Sequence, residues 1–346
     1  MKICAFPATG SYSGPLYEAL SKEDITVLDG VWSISWLFKH LRKDDVAHLH
    51  WPSFAYAGNG SKTRAVINFM KFCTCLVLLK CKGARIWWTA HNLLPHDRCE
   101  LPSLDIIVRH IIIFFCECIF THGKYAAEQL EKRFPATKSK NIQIPHGNWI
   151  DHYGPVANKH EAKTQLSIPE DKFVLLVFGQ LRAYKNIHRL INLIQNEQQH
   201  DVYLLIAGRF NSDAYKDSIT ELLNTEQQNI RLDAKFIPNE DVPLYLAASD
   251  IMVMPYSEIL TSGTAVLAIS YGLPIMSVQA GFLNDVITAQ TGVFIKDTSD
   301  KSINAAILTA KQKSWTTDEI INHAENFTFT EAAKTMANAF RQIKRN

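Results

Sequence analysis

The sequence predicts an α/β protein built from two doubly wound parallel domains that face each other across a cleft. Three observations predict it. The chain has 346 residues, long for one domain and enough for two of roughly 150–190 residues. Apolar runs of strand length alternate throughout with apolar residues at helical spacing, the pattern of parallel βα units. That alternation comes in two series, separated by Asn148–Lys163, a stretch with Gly154-Pro155 and little apolar content that reads as a linker.

In the first series, Lys2–Pro7, Asp45–His50, Ala84–Thr89, Cys118–Thr121 and Ile142–Ile144 are strand candidates. Each ends in small or polar residues, where doubly wound sheets place their ligands. The second series has strands at Phe173–Phe178, Val202–Ala207, Ile230–Phe236, Ile251–Met254, Pro274–Ser277 and Val293–Ile295. Its helices are Asn186–Asn196, Ala214–Asn224, Val242–Ala247, Thr261–Ser270 and Ser302–Gln312. The last segment, Thr330–Lys344, spaces Ala332, Met336, Ala339, Phe340 and Ile343 as one helix face and is expected to pack back on the first domain.

Composition removes several classes. Hydrophobic residues make up 47% and charged ones 20%, which is ordinary for a globular chain and wrong for a disordered or fibrous one. The 36 Lys and Arg against 34 Asp and Glu leave a net charge of +2, and no basic run adds a tail, so nucleic acid is not expected as a partner. Seven cysteines cannot all pair internally. The segment Met1-Lys2-Ile3-Cys4-Ala5-Phe6-Pro7 reads as a first strand and not a signal peptide. Both point to a reducing, cytoplasmic setting. Cys73/Cys75 and Cys116/Cys118 lie in apolar runs at a spacing that does not suit a zinc knuckle, so they read as packed thiols. The apolar stretches Val66–Leu79 and Ile106–Phe120 are interrupted by Lys71 and by Arg109, His110 and Glu117. Both fall short of the roughly 18–20 apolar residues of a spanning helix. They read as buried helices, and peripheral membrane contact stays open for the first, which Lys62, Arg64, Lys71, Lys80, Lys82 and Arg85 surround.

The most informative stretch is Phe178-Gly179-Gln180-Leu181-Arg182-Ala183-Tyr184-Lys185-Asn186, directly after a strand. A glycine there admits a ligand to the backbone, and two cations three residues apart, on a loop entering a helix, suit a diphosphate. It is neither a GxGxxG loop nor a Walker A sequence, so nicotinamide and ATP chemistry lose support. A second stretch, Met254-Pro255-Tyr256-Ser257-Glu258-Ile259-Leu260-Thr261-Ser262-Gly263-Thr264-Ala265, follows a strand and opens a helix. Thr261 and Ser262 suit a cap, and Gly263 and Thr264 leave amides that can meet a phosphate. In the first half, histidines gather at strand ends: His48, His50, His91, His96, His122 and His146. The strand running into Thr89-Ala90-His91-Asn92-Leu93-Leu94-Pro95-His96-Asp97 makes His91 the leading candidate, and Ile144-Pro145-His146-Gly147-Asn148 supplies another tight, ligand-accessible turn.

The ordered set His50-Trp51-Pro52, Thr89–His96, Ile144–Gly147, Gly179-x-x-Arg182-x-Tyr184-Lys185, Leu260–Thr264 and Ala268–Pro274 resembles GT-B glycosyltransferases related to family 4 over nearly the whole chain. It is especially similar to a bacterial mannosyl- or exopolysaccharide-glycosyltransferase branch. The resemblance implies the GT-B fold, two Rossmann-like doubly wound domains. Residues 1–155, with a C-terminal helix of about 328–346 packing back, would bind the acceptor, and residues 165–327 the nucleotide sugar. It implies that Lys185 and Gly263 hold donor phosphate and that His91 lies near the reacting sugar. Gly179, Arg182, Glu258, Thr261, Ser262 and Thr264 join the donor site, and His50, His122, His146 and Gly147 the acceptor side. Gln180 stands where the family has an arginine, with Arg182 two positions later. The two family glutamates, seven apart, fall on Leu260 and Leu267, with Glu258 nearby but out of register.

The leaving nucleoside diphosphate can be met by cations and amides, and no Asp-x-Asp triad appears, so neither a metal nor another cofactor is expected. The missing glutamates keep retaining and inverting chemistry both open. An inverting enzyme needs a base, for which Asp97, His91 and His96 are candidates. On the branch resemblance alone GDP-mannose is the expected donor, with UDP-linked glucose or glucuronic acid as alternatives, and a saccharide or polyprenyl-linked saccharide is the acceptor, at the inner face of the cell membrane. A sugar-nucleotide epimerase or hydrolase and a non-catalytic partner subunit are the competing readings.

Overall fold

A computed structural model describes residues 2–95, 97–196, 201–223, 228–257 and 259–343. The chain forms two compact units, Met1–Gly147 with Phe327–Asn346 and Asn148–Asn326.

Unit 1 holds strands β1 (Ile3–Phe6), β2 (Val27–Asp29), β3 (Val46–Leu49), β4 (Arg85–Thr89), β5 (Cys118–His122) and β6 (Asn141–Ile144). They pair in parallel in the order β2-β1-β3-β4-β5-β6. Because β1 is covered on both faces, it reads as a continuous apolar run without alternation, and β3 departs from that pattern only at His48. β2 went unpredicted: it is three residues long at the sheet edge and leaves no apolar run. The helices are α1 (Ser13–Ser21), α2 (Ile34–His40), α3 (Ser53–Tyr56), α4 (Lys62–Cys81), α5 (Pro102–Phe115) and α6 (Gly123–Arg133). Ser61 caps α4, its hydroxyl accepting from the Arg64 amide at 3.3 Å. α5 opens with Pro at its first position and stops at Phe115. The expected helix over Ile106–Phe120 is therefore two elements, because from Cys118 the chain pairs with Trp87 of β4.

Unit 2 contains β7 (Phe173–Phe178), β8 (Val202–Ala207), β9 (Ile230–Asp233), β10 (Ile251–Met254), β11 (Ile275–Val278) and β12 (Gly292–Ile295), again all parallel, in the order β12-β11-β10-β7-β8-β9. Its helices are α7 (Lys159–Gln165), α8 (Ile187–Asn196), α9 (Asp213–Thr220), α10 (Val242–Ala247), α11 (Gly263–Ser270), α12 (Leu283–Val286), α13 (Asp300–Gln312) and α14 (Thr317–Ala324). α7 lies partly within the stretch expected to be a linker: Asn158 caps it, and Ala162 and Lys163 are buried. The core joins Leu175, Val177, Leu204, Ile206 and Val253 of the sheet with Ile191 and Ile307 from its helices.

The last helix, α15 (Phe329–Ile343), returns to unit 1 and packs along α1, burying Ala332 and Met336. Phe329 sets its ring edge-on to Tyr12 at 5.6 Å, and Phe340 meets Trp87 at 6.1 Å. Gly147, at φ +93°, ends the strand-to-loop segment under that helix; a Cβ there would lie 2.4 Å from the Phe329 ring. Phe329→Ala is expected to lower the stability of unit 1 by about 3 kcal/mol through the cavity it opens. Calorimetric unfolding checks this, and an unchanged unit 1 transition would mean that α15 adds nothing to its stability.

Candidate functional site

In unit 2 the two phosphate-suited stretches meet. β7 ends at Phe178, and Gly179 turns the chain at φ +83°, a conformation that L side chains rarely adopt. A Cβ on Gly179 would lie 3.4 Å from Thr264 Oγ1 and 3.9 Å from Lys185 Nζ, so these three groups surround one point. Three hydrogen bonds among the described residues tie the loops together: the Ser257 amide and hydroxyl donate to the Tyr184 carbonyl at 2.9 and 3.3 Å, and the Asn186 side-chain amide donates to the Pro255 carbonyl at 2.7 Å. Asn186 itself is left-handed at φ 55° and passes the chain into α8.

Lys185 is 3% exposed. Its ammonium donates to the Phe178 carbonyl at 2.8 Å and sits 5.4 Å from the centre of the Tyr256 ring. Burial, with the Arg182 cation beside it, lowers its pKa to about 7. Arg182 is half-buried and donates to Gln180 Oε1 at 2.9 Å. Ser262 is the N-cap of α11, its hydroxyl accepting from the Ala265 amide at 3.2 Å, which places Gly263 and Thr264 in the first turn, where helix amides have no intrahelical partner. Thr261 precedes the cap and is half-buried. Leu260 and Leu267, where the resemblance would put the two family glutamates, are buried. Glu258 lies outside the described residues.

In unit 1 the C-terminal ends of β3 to β6 bring His48, His50, His91, His122 and His146 together, all buried. Tyr12 stands among four of them, its ring edge-on to His50, His91, His122 and His146 at 4.7–5.8 Å. Tyr17 Oη lies 2.7 Å from His48 Nδ1 and 2.7 Å from His50 Nε2. His48 Nε2 meets Thr89 Oγ1 at 2.9 Å, and His50 Nδ1 meets His91 Nε2 at 3.0 Å. Trp51 stacks on His91 at 4.4 Å. Burial holds all five imidazoles below their ordinary range, His50 at about 3 and His146 at about 4. These rings are therefore neutral at pH 7. Among the described residues, no group of His, Cys, Asp or Glu is placed to hold a metal ion.

The loop after β4 is pinned at several points. Arg109 donates to the Leu93 carbonyl at 3.0 Å, and Asp105 accepts from the Cys99 amide at 3.2 Å and from Tyr56 Oη at 2.7 Å. The Gly60 and Gly58 amides hold the Glu100 carboxyl down at about 2. Asp97 is exposed on this loop, and His96 lies outside the described residues. His146 Nδ1 lies 3.2 Å from the Gly147 carbonyl oxygen. Tyr12, Tyr17 and Thr89 were not singled out from the sequence. The one available signal was Ser11-Tyr12-Ser13-Gly14-Pro15, a glycine- and proline-marked stretch beyond β1 that enters α1.

Of the cations around α4, Lys80 pairs with Glu117, Lys82 donates to the Phe38 carbonyl and Arg85 lies 3.6 Å from Asp44. Lys62, Arg64 and Lys71 are exposed on a helix that also exposes Val66, Ile67, Met70 and Val77. Beside it, an open groove of about 1240 Å³ is lined by Val31, Trp32, Ile34, Phe38, Trp51 and Phe54. Among the described residues, no helix is long and apolar enough to cross a membrane. Cys4, Cys75, Cys99 and Cys116 are buried, Cys73 and Cys118 half-buried and Cys81 exposed, and none is in a disulfide.

Residues 158–327 match the family model described as glycosyl transferases group 1. Over 245 residues the chain is 23% identical to the GDP-mannose:glycolipid 4-beta-D-mannosyltransferase of Xanthomonas campestris pv. campestris, across 68% of this chain and 62% of that relative. It thus spans less than two thirds of that protein's length. Among solved structures, Anabaena Alr3699/HepE in complex with UDP and glucose superposes with a TM-score of 0.69 at 14% identity, covering 99% of this chain and 100% of that one. Sucrose-phosphate synthase (tll1590) from Thermosynechococcus elongatus superposes with a TM-score of 0.68 at 17% identity, covering 87% and 74%. The fold is GT-B, two Rossmann-like parallel sheets clothed in helices.

The Lys185 pKa of about 7 sets a pH dependence. Below that pH the empty site presents an ammonium. Above it the amine is neutral, and a bound diphosphate restores the ammonium by taking up a proton. Affinity for inorganic diphosphate is therefore expected to fall by up to about tenfold per pH unit as pH rises through and above this value. Calorimetry at pH 8 in buffers of different ionisation enthalpy reads the proton uptake, which Lys185→Met should abolish. Binding without uptake in the wild type would contradict the buried amine.

Proposed function

We propose that this chain, whose residues 158–327 match the group 1 glycosyl transferases, moves a sugar from a nucleotide-diphosphate donor to a saccharide or lipid-linked saccharide. The observation that carries the reading is the convergence of Gly179, Lys185 and Thr264 around a buried amine at the mouth of α11. The bond that breaks joins the sugar C1 to the diphosphate oxygen, and the electron pair leaves with the phosphate. Lys185, Arg182 and the first-turn amides of α11, capped by Ser262 and preceded by Thr261, meet the charge that develops there. No metal has a part in this reading.

GDP-mannose is the donor we favour, because the Xanthomonas relative is named for it. That name also describes a β-linked product. Since GDP-mannose holds its sugar through an α linkage, the same chemistry here would invert C1 in a single displacement. The acceptor oxygen would form the new bond as its proton passes to a base. Asp97, His91 and His96 remain the candidates, with His50, His122, His146 and Gly147 on the acceptor side. Buried leucines at 260 and 267 suit a site that does not follow the family's two-glutamate pattern.

A lipid-linked acceptor is supported by the apolar groove of unit 1 and by α4, whose exposed Val66, Ile67 and Met70 lie among Lys62, Arg64 and Lys71. This arrangement suits shallow contact with an anionic bilayer. Together with seven unpaired thiols, which suit a reducing compartment, it supports a position at the cytoplasmic face of a membrane.

Two measurements test the reading. With a panel of UDP- and GDP-sugars, Lys185→Ala is expected to lower kcat/KM by roughly 10²–10³-fold, and Arg182→Ala by less, its side chain being half-buried. Undiminished turnover in both variants would remove the phosphate site, and donor binding without any transfer would favour a non-catalytic partner. Release of free sugar whether or not acceptor is present would favour a hydrolase. In co-sedimentation with phosphatidylglycerol vesicles, the wild type is expected to pellet at low salt and less at high salt, and Met70→Asp to remain in the supernatant. Wild type that stays in solution with these vesicles would rule out the membrane contact.

A further inference from the structure

The groove beside α4 lies on the same edge of the unit 1 sheet as the buried histidines. Pro7 follows β1, Gly30 follows β2 and Trp51 comes two residues after β3, and all three line it. These strands are neighbours in the order β2-β1-β3, and the histidines stand at the ends of β3 to β6. Parallel α/β sheets bind their ligands along that edge. Trp51 is the shared wall: its indole stacks on His91 at 4.4 Å and also borders the groove. One elongated molecule passing Trp51 would reach both, within a single unit.

The walls of the groove are apolar and stand in water. Phe38 is 65% exposed and Phe54 52%, with Val31 and Ile34 beside them. Such a surface carries a free-energy cost that an apolar ligand removes. The volume, about 1240 Å³, exceeds the roughly 300–1,000 Å³ of a pocket for a drug-sized molecule. Apolar walls at that size suit a long hydrocarbon chain and not a sugar or a base. No acid lines the groove, and Lys71 is the one cation among its described lining residues. On α4, Asn68, Lys71 and Cys75 line the groove, while Val66, Ile67, Met70 and Val77 are exposed on the adjoining face. Helical geometry puts Lys71 between that exposed apolar face and the groove, where it can meet the phosphate of a lipid.

We infer that this groove holds the hydrocarbon tail of a prenyl phosphate, the lipid that carries the saccharide acceptor, with Lys71 paired to its phosphate and Trp51 dividing tail from saccharide. The acceptor's role rests on the sugar-transfer reading; the tail site names the part of that acceptor which unit 1 recognises. A bulk phospholipid would gain nothing from a groove that borders Trp51 and the strand-end histidines, whereas an acceptor must bring its saccharide there. The tail contacts do not change as the new bond forms, so they lower the acceptor KM and leave kcat unaltered.

Farnesyl phosphate, titrated into the full chain by calorimetry below its micellar concentration, is the probe. It is expected to bind at least about tenfold more tightly than isopentenyl phosphate, because its longer chain takes more carbon out of water. Neither inorganic phosphate nor dihexanoyl phosphatidylglycerol should displace it. Phe54→Ser is expected to weaken it about tenfold, while Phe114→Ser, which removes an exposed ring of α5 outside the groove, should leave it unchanged. Lys71→Gln should weaken farnesyl phosphate about two- to fivefold and leave farnesol bound as before. In transfer to a prenyl-linked acceptor, Phe54→Ser should raise the acceptor KM at unchanged kcat. Equal affinity for the short and long phosphates, equal losses in Phe54→Ser and Phe114→Ser, no effect of Lys71→Gln, or displacement by the phospholipid would overturn the inference. So would a dimer in analytical ultracentrifugation that Phe54→Ser dissolves, since a second copy would fill the groove. Binding of farnesyl phosphate by a chain that transfers no sugar would sink the proposed reaction and leave the groove standing. Sugar transfer at the same KM to acceptors with and without a tail would sink the groove alone.

Discussion

Burial of one ammonium organises the loops at the C-terminal end of β7. Lys185 gives up nearly all its water for one carbonyl, that of Phe178, and the face of Tyr256. Those partners do not replace full hydration, which is why its proton is held weakly. An anion entering beside Gly179 would supply the missing charge. Gly179 takes a left-handed turn, Asn186 takes another, and the Tyr184–Ser257 and Asn186–Pro255 hydrogen bonds hold the second loop against the first. Each of these details keeps an undersolvated cation facing the first turn of α11.

Unit 1 handles polar burial in the opposite way. Its strand-end histidines are all neutral, and in place of an undersolvated charge they use up one another's donors and acceptors. His122 and His146 stand outside the row of Thr89, His48, Tyr17, His50 and His91: His146 Nδ1 lies 3.2 Å from the Gly147 carbonyl oxygen, and His122 packs between Tyr12 and His146. A polar row in a dry interior has few allowed proton arrangements, so it holds side chains rigidly. Loop anchors at Asp105, Arg109 and Glu100 extend that rigidity to the segment that carries His91 and Asp97.

Much of the fold was legible because strands covered on both faces must be apolar from end to end. Val202–Ala207 and Phe173–Phe178 could be bounded to the residue for that reason. Elements that escape full burial were harder to read. β2 is three half-exposed residues, and α14 opens with Thr317-Asp318-Glu319 on its exposed side. The continuous run Ile106–Phe120 concealed a helix-to-strand change, since periodicity cannot divide a stretch that is apolar throughout. Of the candidate residues, Lys185, Gly263 and His91 drew notice in the sequence because glycine, lysine and histidine near strand ends stand out against an apolar background. Tyr12, Tyr17 and Thr89 did not, since a tyrosine or threonine beside a strand looks like ordinary core until its hydroxyl has a partner.

What the sequence determined by itself is the order of elements, the parallel α/β class and the residue types at the strand ends, because burial period and turn chemistry are local properties. Only the tertiary structure decided which of these groups share a point in space. Gly179, Lys185 and Thr264 are up to 85 positions apart in the numbering and meet through the Tyr184–Ser257 and Asn186–Pro255 contacts. His48, Tyr17, His50 and His91 become one row only because β3 and β4 are neighbours and α1 lies beside them. Hydrogen-bond direction and buried charge depend on what surrounds a group on every side, and no one-dimensional pattern specifies that.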